Sequence, residues 1–270
     1  MVRLPRPLRL ALILLAAGWA LYLVVGNLFL NTAMGPQALN RHPERLRFAW
    51  SHATTWYPGQ VTAHELRIEA QVRTLQWQAR AAQASGRIAL WPLLKRELRL
   101  PSIDVDQVEF VLREVDTALP PREAREGGWR ISLPQIHTAS LRALQWNDLS
   151  LRGDGHARVA LSKQLRGGAF ELGPSVLGFV SGELRRDDVP LLRAVRVHTR
   201  FELERHRPEQ APGREKLRLL RAAIELDAQV TALALALDER GDAQLAFQPG
   251  DGHVDAALEL ERGDHLVIIE

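Results

Sequence analysis

Val195-Arg196-Val197-His198-Thr199-Arg200-Phe201-Glu202-Leu203-Glu204 puts an apolar or methyl-bearing side chain at every odd position and a charged or imidazole side chain at every even one. Neighbouring side chains of an extended chain point to opposite faces, so this run builds one greasy face and one wetted face. A helix would scatter the same residues around its circumference. The segment therefore reads as a strand of a sheet covered on one side only, which is the habit of antiparallel sheets.

The same alternation extends outward in both directions. Leu46, Phe48 and Trp50 alternate with Arg45, Arg47 and Ala49; Leu66, Ile68, Ala70 and Val72 oppose Arg67, Glu69 and Gln71; Leu75, Trp77, Ala79 and Ala81 oppose Gln76, Gln78 and Arg80. Leu220, Ala222, Ile224, Leu226, Ala228 and Val230 repeat it near the other end. Shorter strands are predicted at 86–90, 97–100, 103–105, 108–113, 129–133, 136–140, 143–151 and 156–161, with a last one at 266–269. Turns are expected at Trp56-Tyr57-Pro58-Gly59, Gly241-Asp242 and Gly263-Asp264, where Pro presets one dihedral and Gly tolerates positive φ. Gly153-Asp154-Gly155-His156 recurs as Gly250-Asp251-Gly252-His253 and reads as two hairpin turns. Helical punctuation is expected only at 190–193, at Trp91-Pro92-Leu93-Leu94-Lys95-Arg96 and in a short linker helix starting at Pro36. The prediction is an all-β fold, an antiparallel meander of about fourteen strands. Parallel α/β architecture is excluded because no amphipathic helices separate the strands.

Before the first strand, residues 10–30 carry no charge and one strongly polar side chain, Asn27, directly after Arg3, Arg6 and Arg9. At about 1.5 Å of rise per residue that run crosses the ~30 Å of hydrocarbon in a bilayer. Arginines before it and none within it place the amino terminus in the cytoplasm and the remaining chain on the far side. A cleaved signal peptide fits less well, its apolar core being about 7–15 residues long and followed by a small-x-small site. The expected division is a basic leader and transmembrane helix at 1–30, a juxtamembrane linker at 31–44, β structure at 45–116, a loop at 117–128 and further antiparallel β structure at 129–270.

Composition removes several classes of function. Lys and Arg number 35 against 32 Asp and Glu, and three of the basic residues lie in the leader, so the rest of the chain is formally neutral. A nucleic-acid partner is not expected, since that binding needs clustered cations to displace counterions. Cysteine is absent, which excludes disulfides and thiolate metal sites. The nine histidines show no metal spacing, and His198 lies on the polar face of its strand. Gly173-Pro174-Ser175-Val176-Leu177-Gly178 is not a nucleophile elbow, the Arg-Gly-Asp triplets at 152, 240 and 262 read as turns, and Asp187-Asp188 reads as solvated acids. No catalytic residue, metal or cofactor is expected, and an anchored hydrolase lacks its nucleophile and base.

Strands with one apolar face need that face covered by a second sheet, by closure or by a ligand. Two arrangements follow: a sheet curled into a groove for acyl chains, or a closed sandwich. Leu66, Ile68, Leu75, Trp77, Ile88 and Leu90 would line the first part of a groove, with Val195, Val197, Phe201 and Leu203 further along. Trp50 reads as packed inside; Trp56 and Tyr57 are candidates for the membrane interface.

The uncleaved helix and linker, then Ala53-Thr54-Thr55-Trp56-Tyr57-Pro58-Gly59, Leu66-Arg67-Ile68 and Gly86-Arg87-Ile88-Ala89-Leu90-Trp91-Pro92-Leu93-Leu94-Lys95-Arg96, and strands at 98–100 and 108–113, resemble in order and content the amino-terminal region of AsmA-like proteins. The resemblance covers about residues 5–115. It implies a β-taco-like groove anchored in the bacterial inner membrane with its bulk in the periplasm, handling phospholipid or assisting outer-membrane assembly. A stack of fourteen strands reaches about 65 Å, short for a bridge between two membranes. A carrier, or one segment that pairs with an envelope partner at the C-terminal strand edge, fits that length. The alternative function is an anchored scaffold of an envelope or secretion complex acting through sheet-edge pairing.

Overall fold

The computed structural model describes residues 6–40, 42–72, 74–116, 128–165, 170–187, 189–206, 216–237 and 243–261. An apolar helix α1 (Arg6–Asn31) leads into a short helix α2 (Met34–Leu39), after which the chain is almost entirely extended. Strands β1 (Leu46–Ala49), β2 (His52–Thr54), β3 (Gln60–Val72) and β4 (Leu75–Arg87) come first. The helical turn α3 (Leu90–Leu93) then precedes three short strands, β5 (Glu97–Arg99), β6 (Ile103–Asp106) and β7 (Val108–Glu114). Six long strands complete the set: β8 (Arg130–Trp146), β9 (Leu149–Gln164), β10 (Phe170–Arg186), β11 (Val189–His206), β12 (Lys216–Leu237) and β13 (Ala243–Glu261). All thirteen belong to one hydrogen-bonded sheet, with β1 and β2 at one end and β13 at the other. The all-β prediction holds at that level, and the apolar helix stands where expected.

The meander is not wholly antiparallel. β5, β6 and β7 lie end to end along β8 and pair with it in parallel, while β6 and β7 pair antiparallel with β4 on their other side. Three short strands thus make one composite rung, broken at Pro101 and at Gln107, which has φ 51°. Parallel neighbours need a long crossover, and the segment between β7 and β8 supplies it. The expected loop at 117–128 falls there, outside the described residues except for Gly128.

Several expected breaks turn out to be continuous strand. The separate strands at 129–133, 136–140 and 143–151 merge into β8 and the start of β9, joined by a tight turn at Asn147, φ 52°. Residues 190–193 lie within β11 and not in a helical turn, and the separate strand expected at 86–90 is divided between the end of β4 and α3. Neither Gly-Asp-Gly-His word is a hairpin turn: residues 153–156 lie inside β9 and residues 250–253 inside β13. The strand at 266–269 and the turns at 241–242 and 263–264 fall outside the described residues.

Several of these breaks mark a place where the side-chain alternation slips by one residue. Between β11 and β12 the register shifts from Arg193↔Gln229 to Arg196↔Asp227, so Ala194 and Val195 together oppose Ala228, and Ala194 takes φ 49°. Between β9 and β10 the shift leaves Val180 as the extra residue; between β12 and β13 it falls at residues 250–251 of the second Gly-Asp-Gly-His word. Traced across the ladder, the irregularities form a line: Glu65 (φ 52°), Ala82 opposite it, Gln107, Ser140, Asp154, Val180, Ala194 and Gly250. A second line passes Pro134, Ala160, Gly173-Pro174 and Glu202. A bulge kinks its strand and strengthens local twist, so aligned bulges bend the whole sheet along a crease.

Helix α1 closes the outer side of the first strands. The Asn27 side-chain amide donates to the Thr55 carbonyl (3.2 Å) and its oxygen accepts from the Thr55 N–H (3.0 Å); Asn31 does the same for Ala53, at 2.6 and 3.0 Å. Asn40, after α2, grips Phe48 of β1 in the same two-point way, at 2.8 and 2.7 Å. Four helical residues rise about 6 Å and two strand residues about 6.8 Å, so side chains four apart on α1 meet alternate residues of β2. The helix occupies the place of a missing strand. Replacing both Asn27 and Asn31 with Leu makes α1 more apolar yet leaves four edge groups unpaired, at about 1–3 kcal/mol each where buried. Spin labels at Leu28→Cys and Ser51→Cys are therefore expected to give a narrow distance distribution in the parent and a broad one in the double variant.

Candidate functional site

The sheet registers carry single rows of apolar residues from strand to strand. One row reads Phe48, Ile68, Ala79, Phe110, Leu144, Leu151, Leu184 and Leu192 from β1 to β11, with Val230 of β12 as the next register position. Another runs Ala53, Ala63, Ala84, then Val105, and resumes with Thr138, Ala157, Leu177, Thr199 and Ile224. The bulges make this possible: each slip in sequence phase is matched by a slip in register, so the same face stays apolar on both sides of the crease. Where the crease crosses β8 to β12, Leu141, Phe179, Val195 and Ala228 are fully buried, and Leu191, Leu192, Val195 and Ala228 pack as one cluster against Leu151, Leu184, Val197 and Leu226.

Two polar details hold the bends. The Ser175 hydroxyl, 2% exposed, donates to the Gly173 carbonyl (2.8 Å) and accepts from the Ala160 N–H (3.2 Å), filling the gap that the second line of bulges opens in the ladder. Gly155 sits where a Cβ would lie 2.8 Å from the Gly178 carbonyl oxygen and 3.0 Å from Phe179 Cδ1. Three strands approach that point too closely for any side chain.

The expected groove residues divide into three groups. Leu66 and Ile68 of β3 and Trp77 of β4 are half-buried; Ile68 pairs with Phe48 and Ala79, Leu66 with Ala81, and the Trp77 ring stacks 6.2 Å from Phe110. Val195, Val197 and Phe201 of β11 join the face further along, opposite Ala228, Phe179 and Ser175 respectively. Leu203 pairs by backbone with Leu172 and Leu219, and its side chain lies outside the described residues. Leu75 lies at the open start of β4, 37% exposed, while Ile88 follows β4 and Leu90 opens α3, 52% exposed. Leu141, Leu144, Leu151, Leu177, Phe179 and Leu184 went unnoticed because the bulges beside them break simple alternation.

The opposite face is wet. Arg142 pairs with Asp154, and Arg196 with Asp227 at 2.9 Å. At the ends of the strands, Arg186 Nε donates to Asp148 Oδ2 at 2.6 Å across adjoining hairpin turns. That bond holds the Asp148 carboxyl below its ordinary value, assisted by its own backbone N–H. Among the described residues no three His, Cys, Asp or Glu side chains gather as metal ligands. No protein-family model matches the chain, and no curated protein matches it.

Two outcomes follow. Gly155→Ala, pressed against the β10 backbone, is expected to destabilise by about 1–3 kcal/mol as overpacking does, read as a lower urea midpoint in detergent solution. Arg186→Ala should raise the Asp148 carboxyl toward its ordinary value in a carboxyl-carbon NMR titration. Because the folded value is depressed, the stability this contact adds is present above the unfolded value and is lost as pH falls through the folded one.

Proposed function

We propose that this chain is a non-catalytic, membrane-anchored β protein that shelters phospholipid acyl chains along the apolar face of its sheet, in the manner of AsmA-like proteins of the bacterial inner membrane, and so serves phospholipid transport or outer-membrane assembly. The single observation that carries the reading is the pairing of long apolar rows with a small core. Ten hydrophobic residues are fully buried among those described, and five of them are alanines. A closed sandwich with rows of this length would bury its leucines and phenylalanines completely; here most of the row residues are only half-buried. A creased sheet with a greasy concave side has the form of a trough. Helix α1, apolar over Pro7–Asn31 with an 18-residue stretch of mean hydropathy 2.2, serves as the single-pass anchor, its basic leader cytoplasmic and the sheet periplasmic.

The energetics suit the role. Each buried methylene contributes about 0.8 kcal/mol, so ten methylenes of one acyl chain supply roughly 8 kcal/mol before the cost of ordering the chain. Half-buried small residues along the row, Ala63 and Ala157, leave width for it. A second reading rests on β13, which ends the strand order among the described residues: a scaffold acting by adding a partner's strand at that edge.

Photo-crosslinking distinguishes the two. A benzophenone side chain at Leu177, on the apolar face, is expected to capture phospholipid in cells, whereas one at Val180, 66% exposed on the other side of the bulge, is not. Equal capture at both positions, or none at Leu177, removes the trough and leaves the scaffold.

A further inference from the structure

The large apolar side chains exposed on the described part of the sheet are not spread evenly. Trp56 (65% exposed) and Tyr57 (56%) form the turn between β2 and β3, and Leu90 (52%), Trp91 (83%) and Leu94 (78%) lie on or just after α3. The two segments touch: the Ile88 N–H donates to the Gly59 carbonyl at 2.7 Å, and the glycine, at φ 85°, has the Leu90 side chain beside it. Five such residues at one corner make an unpartnered apolar patch of the sort that marks an interface.

The packing of α1 says what meets it. β2 runs antiparallel to the helix, so its later residues meet earlier helical ones: Ala53 meets Asn31, Thr55 meets Asn27, and the Tyr57 ring lies edge-on to Trp19 at 5.6 Å. Trp19 is about 18 Å before Asn31 along the axis, deeper than the ~15 Å of hydrocarbon in one leaflet. If α1 spans a bilayer, the corner that holds Tyr57 is carried below the headgroups with it. Several polar groups there are paired within the protein. Tyr22 donates its hydroxyl to the Tyr57 carbonyl (3.0 Å), Thr55 Oγ1 donates to the Gln60 carbonyl (2.6 Å), and the edge groups of Ala53 and Thr55 are taken by the asparagines. Such pairing is what non-helical backbone requires at membrane depth. Lys95 and Arg96, exposed immediately after α3, add positive charge where anionic headgroups would lie.

We propose that the Trp56–Tyr57 turn and the α3 turn are inserted together into the leaflet that surrounds the C-terminal half of α1, so that the apolar rows of the sheet begin among acyl chains and not in water. The partner is a phospholipid leaflet, whose acyl chains receive the exposed rings and whose anionic headgroups attract the basic pair behind them. This inference rests on the anchor reading above and on nothing about the interior of the trough.

The chain has no cysteine, so one introduced thiol reports one position. Tyr57→Cys, Trp91→Cys and Leu94→Cys, each carrying an environment-sensitive fluorophore, are reconstituted in phosphatidylethanolamine–phosphatidylglycerol vesicles containing a nitroxide-bearing lipid. Leu14→Cys marks the helix, and Trp146→Cys, 61% exposed at the other end of the strands, marks the water-facing sheet. Blue-shifted emission and quenching at 57, 91, 94 and 14, with neither at 146, is the expected result. Quenching at 14 alone overturns the inserted corner and keeps the anchor. No quenching at 14 overturns both, and equal quenching at 146 overturns the corner in favour of a sheet lying flat on the bilayer.

Discussion

A sheet edge is a row of unmade hydrogen bonds, and in this protein three asparagine side chains make them. An amide offers one donor and one acceptor with about the spacing of a peptide group, so Asn27, Asn31 and Asn40 each complete one residue of an edge strand, Thr55, Ala53 and Phe48. The consequences reach in two directions. Toward the sheet, the edge is sealed against pairing with another chain, which open edges invite. Toward the helix, two polar residues that lower its affinity for hydrocarbon become the reason it is fixed to the sheet at one height. Gly26 and Gly35 support the same contact by letting Thr55 and Trp50 come close, and the Trp50 indole N–H donates to the Leu30 carbonyl at 2.9 Å. Trp50 is thus a docking residue between the helices and β1.

From that fixed edge the rest of the sheet is built by repetition under one constraint. Long strands that stay straight keep a perfect alternation but cannot curl; strands that bend need an extra residue, and an extra residue would send every later side chain to the wrong face. The chain meets both demands by placing its irregularities side by side. When Val180 bulges from β10, Asp154 and Gly155 of β9 and Ala194 of β11 are irregular beside it, so neighbouring strands change phase together and the apolar rows pass unbroken. Gly155, with the carbonyl of Gly178 and the ring of Phe179 close above it, leaves no room for a side chain there, and Gly153 is tighter still against the Ser181 carbonyl. The crease gathers the fully buried Leu141, Phe179 and Val195, and the rows away from it are left half-open.

This compensation also explains what the sequence shows and what it conceals. Alternation is visible wherever a strand is regular for six residues or more, so the faces of β1, β3, β4 and β11 could be assigned residue by residue, and the apolar helix is plain from composition. Leu66, Ile68, Trp77, Val197 and Phe201 come from such stretches. At a bulge the local pattern is that of a turn: glycine, aspartate or proline, then a change of phase. Gly153-Asp154-Gly155-His156 has the composition of a hairpin turn, and only the pairing of Gly155 with Phe179 and Leu141, both distant in sequence, shows it to be a bend inside a strand. The parallel pairing of β5, β6 and β7 with β8 is hidden for the same reason: short strands separated by Pro101 and Gln107 look like successive hairpin arms until a longer strand lies alongside all three. Leu90 belongs to the helical turn because Pro92 cannot donate to a ladder and suits the first turn of a helix.

The two structural themes, a sealed first edge and a continuous apolar face, suit the proposed acyl-chain role better than the scaffold one. A scaffold that works by strand addition gains nothing from half-exposed rows of leucine, which raise its tendency to aggregate. A carrier of acyl chains needs those rows, needs bends that turn a flat greasy face into a concave one, and needs its first strand held at the depth where acyl chains are found. In the proposed role the Asn27 and Asn31 contacts would supply the last of these, since the same bonds that close the edge at Ala53 and Thr55 also set its height along α1. Helix and sheet are in that sense not separate parts joined by a linker: α1 takes the place of the sheet's first member.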